Sequence, residues 1–182
     1  PDGVRLRHDL LSSIEVDLEM KITPEQRLTK AVIAIMHNQR YRALSGVLMV
    51  GSRTVSTRLG GHVIDTAATN GRDEVYNPDF VNSLSDPELR FLVLHECYHK
   101  LYRHLIIWAW MYRISPTAAN LACDYVINIK LVDDNKDGFA TMTGPLLMGC
   151  FSEKYRDWDS ARVFHDIVDE LKSGGQGQGQ PG

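Results

Sequence analysis

Apolar residues recur every three or four positions along four stretches of this chain, the spacing at which side chains share one face of an α-helix. Two of the stretches begin with a Ser or Thr followed three residues later by Glu or Gln, which is the pattern of an N-terminal capping box. The pattern therefore predicts helices over residues 24–39, 86–113, 117–132 and 160–172.

Shorter apolar runs between the first two helices predict strands. Residues 43–50 have the composition of a buried strand. Asn70-Gly71 separates two extended runs at 61–68 and 73–76, and this dipeptide favours the tight turn of a hairpin. Together with the helices, these runs predict an α+β fold with a small, mostly antiparallel sheet.

The size of the chain is that of one compact domain. At 182 residues with 43% hydrophobic and 24% charged residues, we expect a single domain over residues 23–172, preceded by an N-terminal extension at 1–22. The Gly- and Gln-rich segment 173–182 has the composition either of a flexible tail or of a linker to a further domain downstream.

Net charge and cysteine content argue against several classes of protein and indicate a cellular location. A net charge of -3 gives no reason to expect nucleic-acid binding, and no apolar run is long enough to span a membrane. Three cysteines without a C-x-x-C pair predict neither a disulfide framework nor a structural zinc knuckle. A reducing, cytoplasmic location fits this composition best.

The second predicted helix carries the sequence His95-Glu96-Cys97-Tyr98-His99, which is an H-E-x-x-H motif. Residues four apart lie on one helix face, so His95 and His99 can each offer an imidazole nitrogen to one Zn²⁺ ion. Glu96 lies beside them and can accept a proton from water. A buried pair of histidines without a partner would be costly, which favours a metal site over a chance occurrence.

A polar stripe on the third predicted helix supplies candidates for a third zinc ligand and for residues that orient the ligands. Asn120, Asp124 and Asn128 are spaced one turn apart in an otherwise apolar sequence, and buried polar groups need partners. We expect Asp124 to be the third zinc ligand and the two asparagines to orient it or the histidines. The alternative is a buried Asp124 that pairs with Arg103.

Several further residues are candidates for contacts around the zinc. On an unbroken helix His104 faces away from His95, so we do not expect it to bind the metal, whereas Arg103 falls on the side of His99 and Glu96. Arg103 is therefore a candidate for binding a ligand residue or an anionic substrate, with a structural ion pair as the alternative. Candidates for stabilising an oxyanion are the hydroxyls of Tyr98 and Tyr125.

The strand before the motif helix is the candidate rim of a substrate cleft. Residues 72–77, including Arg72, Tyr76 and Asn77, would form this rim, along which an extended peptide adds as a further strand. An ordinary hairpin in a small sheet is the alternative.

These features together predict a zinc metallopeptidase whose substrate is a peptide or protein. Glu96 would deprotonate the attacking water and return the proton to the leaving amine. Two alternatives stay open, namely a non-catalytic, zinc-stabilised protein-binding module and a hydrolase of non-peptide amide bonds.

Five segments of the sequence also resemble a known family, the metallopeptidase domain of bacteria and phages that often lies upstream of a von Willebrand factor A-like domain. The resemblance covers about residues 24–172 and implies a zincin-like fold, in which the H-E-x-x-H helix packs on a second helix that bears Asp124 as the third ligand. The segments are Asn70–Arg72, Tyr76–Pro78, Leu84–Leu89, His95–His104 and Asn120–Asn128.

Overall fold

The computed structural model describes residues 22–174, and most of the predicted N-terminal extension and of the predicted tail lie outside this range. The described part is an α+β fold, as predicted, with eight helices and five short strands. The helices are α1 Pro24–His37, α2 Ser45–Leu48, α3 Pro78–Ser83, α4 Asp86–Leu101, α5 His104–Ile107, α6 Ala109–Ile114, α7 Pro116–Asp134 and α8 Ser160–Gly174. The strands are β1 Arg53–Val55, β2 Arg58–Leu59, β3 His62–Val63, β4 Ala67–Thr69 and β5 Glu74–Tyr76.

Both capping boxes form as the sequence predicts. The hydroxyl of Thr23 accepts a hydrogen bond from the Gln26 backbone, and the Gln26 side chain accepts one from the Thr23 backbone. In the capping box at the start of α4, the backbone N–H and the hydroxyl of Ser85 both donate to the carboxylate of Glu88. Each box satisfies backbone N–H groups that a helix leaves unpaired at its N-terminus, so the starts of α1 and α4 follow from local sequence alone.

The sheet is small and mixed. The strand order is β1-β5-β4. The central strand β5 is parallel to β1 and antiparallel to β4. The Asn70-Gly71 turn joins β4 to β5, as predicted, with Gly71 at a φ of 88° that favours glycine. Strands β2 and β3 form a separate antiparallel pair.

The prediction that residues 72–77 form the cleft rim is wrong. Strand β5, which contains Tyr76, is the central strand of the sheet and is buried along its whole length. Asn77 instead caps α3, where its side-chain oxygen accepts hydrogen bonds from the backbone of Asp79 and Phe80. Arg72 is exposed in the turn before β5. The sheet edge that faces the motif helix is β4.

The predicted strand at 43–50 is also wrong. Residues Arg42–Leu44 form a 3₁₀ turn that continues into α2, and the first strand of the sheet begins at Arg53. A short apolar run fits a buried strand and a buried helical turn equally well, and here Leu48 enters the core from a helix.

The motif helix is shorter than its apolar pattern suggests. It ends at Leu101, and Arg103 adopts a left-handed conformation with φ 51° and ψ 42°. Two short helices, α5 and α6, replace the predicted continuation to residue 113. The chain therefore changes direction directly after the histidine pair.

Helices α4 and α7 form the centre of the molecule. Helix α4 packs against α1 on one side and α7 on the other, while α7 packs also against α8. Two hydrophobic clusters result, one around α1 and α4 and one around α7 and α8, and α7 contributes residues to both. Because both faces of α7 are packed, its polar stripe lies between two apolar regions. No helix among residues 22–174 is long and apolar enough to cross a membrane.

A buried ionic cluster joins α4 to the sheet. The carboxylate of Glu74 in β5 is fully buried and contacts the ammonium of Lys100 on α4 and the guanidinium of Arg53 on β1. The Tyr76 hydroxyl donates a hydrogen bond to the same carboxylate, and Lys100 also donates to the carbonyl of Val50. This cluster fixes the rotation of α4 relative to the sheet, because a buried charge is stable only while its partners stay in place.

We expect Lys100→Met to destabilise the protein by about 3 kcal/mol, because it leaves the Glu74 carboxylate buried with one of its two cationic partners removed. The measurement is urea unfolding in the presence of a metal chelator. Lys130→Met is the matched control, since Lys130 forms a partly exposed pair with Asp134 and its loss should cost under about 1 kcal/mol. Equal effects of the two substitutions would contradict the role given to the buried cluster.

Candidate functional site

The two histidines of the motif and the polar stripe of α7 meet between the two helices. His95 faces Asn128 and His99 faces Asp124, so the residue numbers rise along α4 as they fall along α7. The helices are therefore antiparallel. This arrangement places one carboxylate directly opposite the histidine pair.

Three electron-pair donors converge at this point. The Nε2 atom of His99 lies 3.0 Å from Oδ1 of Asp124 and 3.1 Å from Nε2 of His95. The third side of the triangle, from His95 Nε2 to Asp124 Oδ1, is 3.4 Å. Among the described residues, these three form the group of side chains close enough together to hold a metal ion.

Asn128 determines which nitrogen of His95 carries the proton. Its side-chain Nδ2 donates to the carbonyl of Cys150 at 2.9 Å, which fixes the orientation of the amide because a carbonyl can only accept. Oδ1 of Asn128 then faces Nδ1 of His95 at 2.8 Å, so Nδ1 must donate. In neutral His95 the lone pair is therefore on Nε2, the nitrogen directed at His99 and Asp124.

Asn120 orients the carboxylate in a similar way. Its Nδ2 donates to Oδ2 of Asp124 at 2.9 Å, which leaves Oδ1 directed at the histidines. Both asparagines of the stripe thus contact the side chains that the sequence analysis expected them to orient. The donor set consists of two imidazole nitrogens and one carboxylate oxygen, which suits a divalent metal ion with a coordination position left for water.

Without a metal, protons must hold these donors together. Burial alone would lower the pKa of His95, but its hydrogen bond with Asp124 and the charge of that carboxylate raise the pKa to about 9. Burial would raise the pKa of Asp124, yet the two histidines hold it well below its ordinary value. The converging lone pairs therefore require a cation, either a proton or a metal ion.

Glu96 lies beside this cluster in a different environment. Its side chain is 5% exposed and lines the cavity next to the histidines. Within residues 22–174, no group donates a hydrogen bond to its carboxylate. Burial raises the pKa of Glu96, although the neighbouring His95 and His99 oppose this effect. A carboxylate with a raised pKa and free oxygens is suited to accept and return a proton.

A cavity of about 380 Å³ opens over the cluster. One side is formed by residues 66–69 of the β4 edge and the other by residues 142–150. Thr141 and Thr143 attach the start of this second side to α4, through hydrogen bonds to Pro87 and Glu88. We call residues 141–150 the cavity wall. Its far end is held by the bond from Asn128 to Cys150.

The structure does not bring the other candidate residues to the cavity. Arg103 is exposed, and Asp124 pairs with the histidines and Asn120 instead of with Arg103. Tyr98 is buried against Tyr102, with ring centroids 5.4 Å apart.

Tyr125 likewise faces away from the site, because it packs against Tyr155 with ring centroids 4.7 Å apart. The tyrosine that lines the cavity is Tyr112 on α6, which the sequence analysis missed. Its position depends on the change of direction at Arg103, which the apolar pattern does not reveal.

His104 was also misplaced by the helical wheel. It is buried, and its Nδ1 lies 3.1 Å from Nδ1 of His99, on the side of that ring opposite the donor cluster. Burial and the neighbouring His99 lower the pKa of His104 to about 3. The helical-wheel placement of His104 is wrong, because α4 ends at Leu101 and the chain turns at Arg103.

Comparison with known proteins identifies a family. A family model described as "Putative metallopeptidase domain" matches residues 23–181, which include every helix and strand described above. No curated protein and no solved structure matches the chain. The zincin-like packing expected from the sequence therefore stays a prediction. The match covers most of the chain, and on this basis the protein belongs to the putative metallopeptidase domain family.

Proposed function

We propose that this protein is a zinc-dependent peptidase in which His95, His99 and Asp124 hold the metal and Glu96 is the general base. The observation that carries the proposal is the convergence of three donor atoms within 3.0–3.4 Å, beside a buried carboxylate without a hydrogen-bond donor among the described residues. Membership of a metallopeptidase family supports the same reaction class.

The donor separations fit zinc. For bonds of 2.0–2.1 Å in a tetrahedral site, neighbouring ligand atoms lie about 3.3–3.4 Å apart. The three separations of 3.0, 3.1 and 3.4 Å are close to this value. A zinc ion held by these three residues would keep one coordination position for water, as in catalytic sites, whereas structural zinc sites usually have four protein ligands.

The reaction would be hydrolysis of a peptide bond by water. Zinc, when bound, supplies a Lewis acid that lowers the pKa of water and polarises a carbonyl group. Glu96 accepts one proton from the water as its oxygen bonds to the carbonyl carbon. The same carboxyl group then gives this proton to the amide nitrogen as the carbon–nitrogen bond breaks. Burial raises the pKa of Glu96, which makes its carboxylate a stronger base for the first step.

The outer edge of β4, which pairs with no strand among residues 22–174, would hold the substrate backbone. In the β4–β5 pair, Thr66 is hydrogen-bonded to Asn77, and Asn70 to Asp73. Hydrogen-bonded and non-hydrogen-bonded pairs alternate along antiparallel strands, so the N–H and C=O groups of Ala67 and Thr69 point away from β5. An extended peptide can pair with them as an added strand.

The zinc content of ligand variants tests the assignment of the metal site. We expect one zinc per chain in the wild type and none in His95→Ala or Asp124→Ala, because each substitution removes one of three donors. Asp134→Ala is the matched control, since Asp134 lies on the same helix and pairs with Lys130 away from the cluster. Elemental analysis of proteins purified without added metal makes the measurement. Zinc retained by Asp124→Ala would refute its assignment as a ligand.

Removal of the Glu96 carboxylate tests its role as general base. We expect Glu96→Gln to retain zinc and to lose at least about 100-fold in hydrolysis rate, because the amide cannot take up the proton. The measurement is cleavage of a peptide mixture followed by mass spectrometry, with exposed Glu153→Gln as the control. A zinc-loaded wild type that cleaves no peptide would favour a non-catalytic module. Unchanged cleavage by Glu96→Gln would remove this residue from the mechanism.

A further inference from the structure

His104 makes a contact with the histidine pair that neither the motif nor the family description assigns. Its side chain is 3% exposed, and its ring meets that of His99 edge-on with centroids 5.0 Å apart. The closest polar atoms are the two Nδ1 atoms, which lie 3.1 Å apart. At this distance one Nδ1 must donate a hydrogen bond and the other must accept it.

The chain reaches this contact through a local change of direction. On a continuous helix, a residue five positions after His99 would lie about 140° away from it around the axis. Helix α4 ends at Leu101 instead, and the left-handed backbone of Arg103 turns the chain back. His104 is the first residue of α5, and its ring contacts that of His99. A left-handed conformation is rare for a residue with a Cβ atom, so packing must favour this geometry.

The direction of the hydrogen bond follows from the role of His99. Its Nε2 is directed at His95 and Asp124, so a metal held there takes the Nε2 lone pair. Neutral imidazole then carries its proton on Nδ1, and this N–H can only donate. The atom that receives it is Nδ1 of His104, which must therefore be unprotonated.

We propose that His104 is a positioning residue, whose Nδ1 accepts the hydrogen bond from His99 and thereby fixes that ring with Nε2 toward the metal. The inference rests on the metal site of the proposed function. It gives the two histidines of the motif different supports, since His95 donates to the amide oxygen of Asn128 and His99 to an imidazole nitrogen. Such outer hydrogen bonds orient a metal-binding ring and increase its basicity.

Two substitutions separate the hydrogen bond from packing. His104→Phe keeps an aromatic ring in the buried position but has no acceptor, and His104→Asn places an amide oxygen near the position of Nδ1. We expect His104→Phe to weaken zinc binding by about 10–100-fold, the range found when such outer partners are removed. His104→Asn should bind zinc close to the wild-type affinity. Competition with a chromogenic chelator measures the affinity, and urea unfolding of the zinc-free proteins compares their folding.

A second measurement needs no substitution. In ¹⁵N NMR of the zinc-loaded wild type, we expect His99 to be protonated at Nδ1, and His104 to be protonated at Nε2 and unprotonated at Nδ1. A protonated Nδ1 on His104 would overturn the inference, as would equal zinc affinities for His104→Phe and wild type. Equal losses in His104→Phe and His104→Asn would overturn it as well. A wild type that binds no zinc would overturn both this inference and the proposed function.

Discussion

Three lone pairs directed at one point are the constraint on which the structure around the candidate site depends. The nitrogens of His95 and His99 and an oxygen of Asp124 lie within 3.4 Å of one another, and like groups at this distance repel unless a cation lies between them. The helix pair holds them there because α4 is fixed to the sheet through Glu74 and Lys100 and because α7 is packed on both faces. The fold thus creates an electrostatic conflict that cation binding relieves.

The parts of this arrangement that are encoded locally could be predicted from the sequence. Capping boxes at Thr23 and Ser85 and the Asn70-Gly71 turn depend on residues within a few positions of one another, and all three form as expected. The periodicity that places His95 and His99 on one face is also local. Asp124 was predicted because a polar residue in an apolar helix requires a partner, although the sequence left Arg103 open as that partner.

The parts that depend on distant contacts could not be predicted. Nothing near Arg103 in the sequence signals a left-handed residue, since no glycine or asparagine is present there, and the apolar pattern continues past it. The positions of His104 and Tyr112 follow from that turn and were missed with it. The central place of β5 depends on its pairing with β1, a strand whose own sequence was not recognised. Strand order in a sheet is set by long-range pairing, which local patterns do not record.

The attachment of the cavity wall has a consequence for how substrate and metal influence each other. The Asn128 amide forms two hydrogen bonds. It donates from Nδ2 to the carbonyl of Cys150 in the cavity wall, and its Oδ1 accepts from the ring of His95. A substrate wide enough to displace the wall would release the amide and loosen the ring, so it would bind at the expense of metal affinity. Thermodynamic reciprocity requires that a bound metal disfavour the displaced wall by the same free energy. Through the Asn128 amide, the width of the cavity and the occupancy of the metal site would therefore change together.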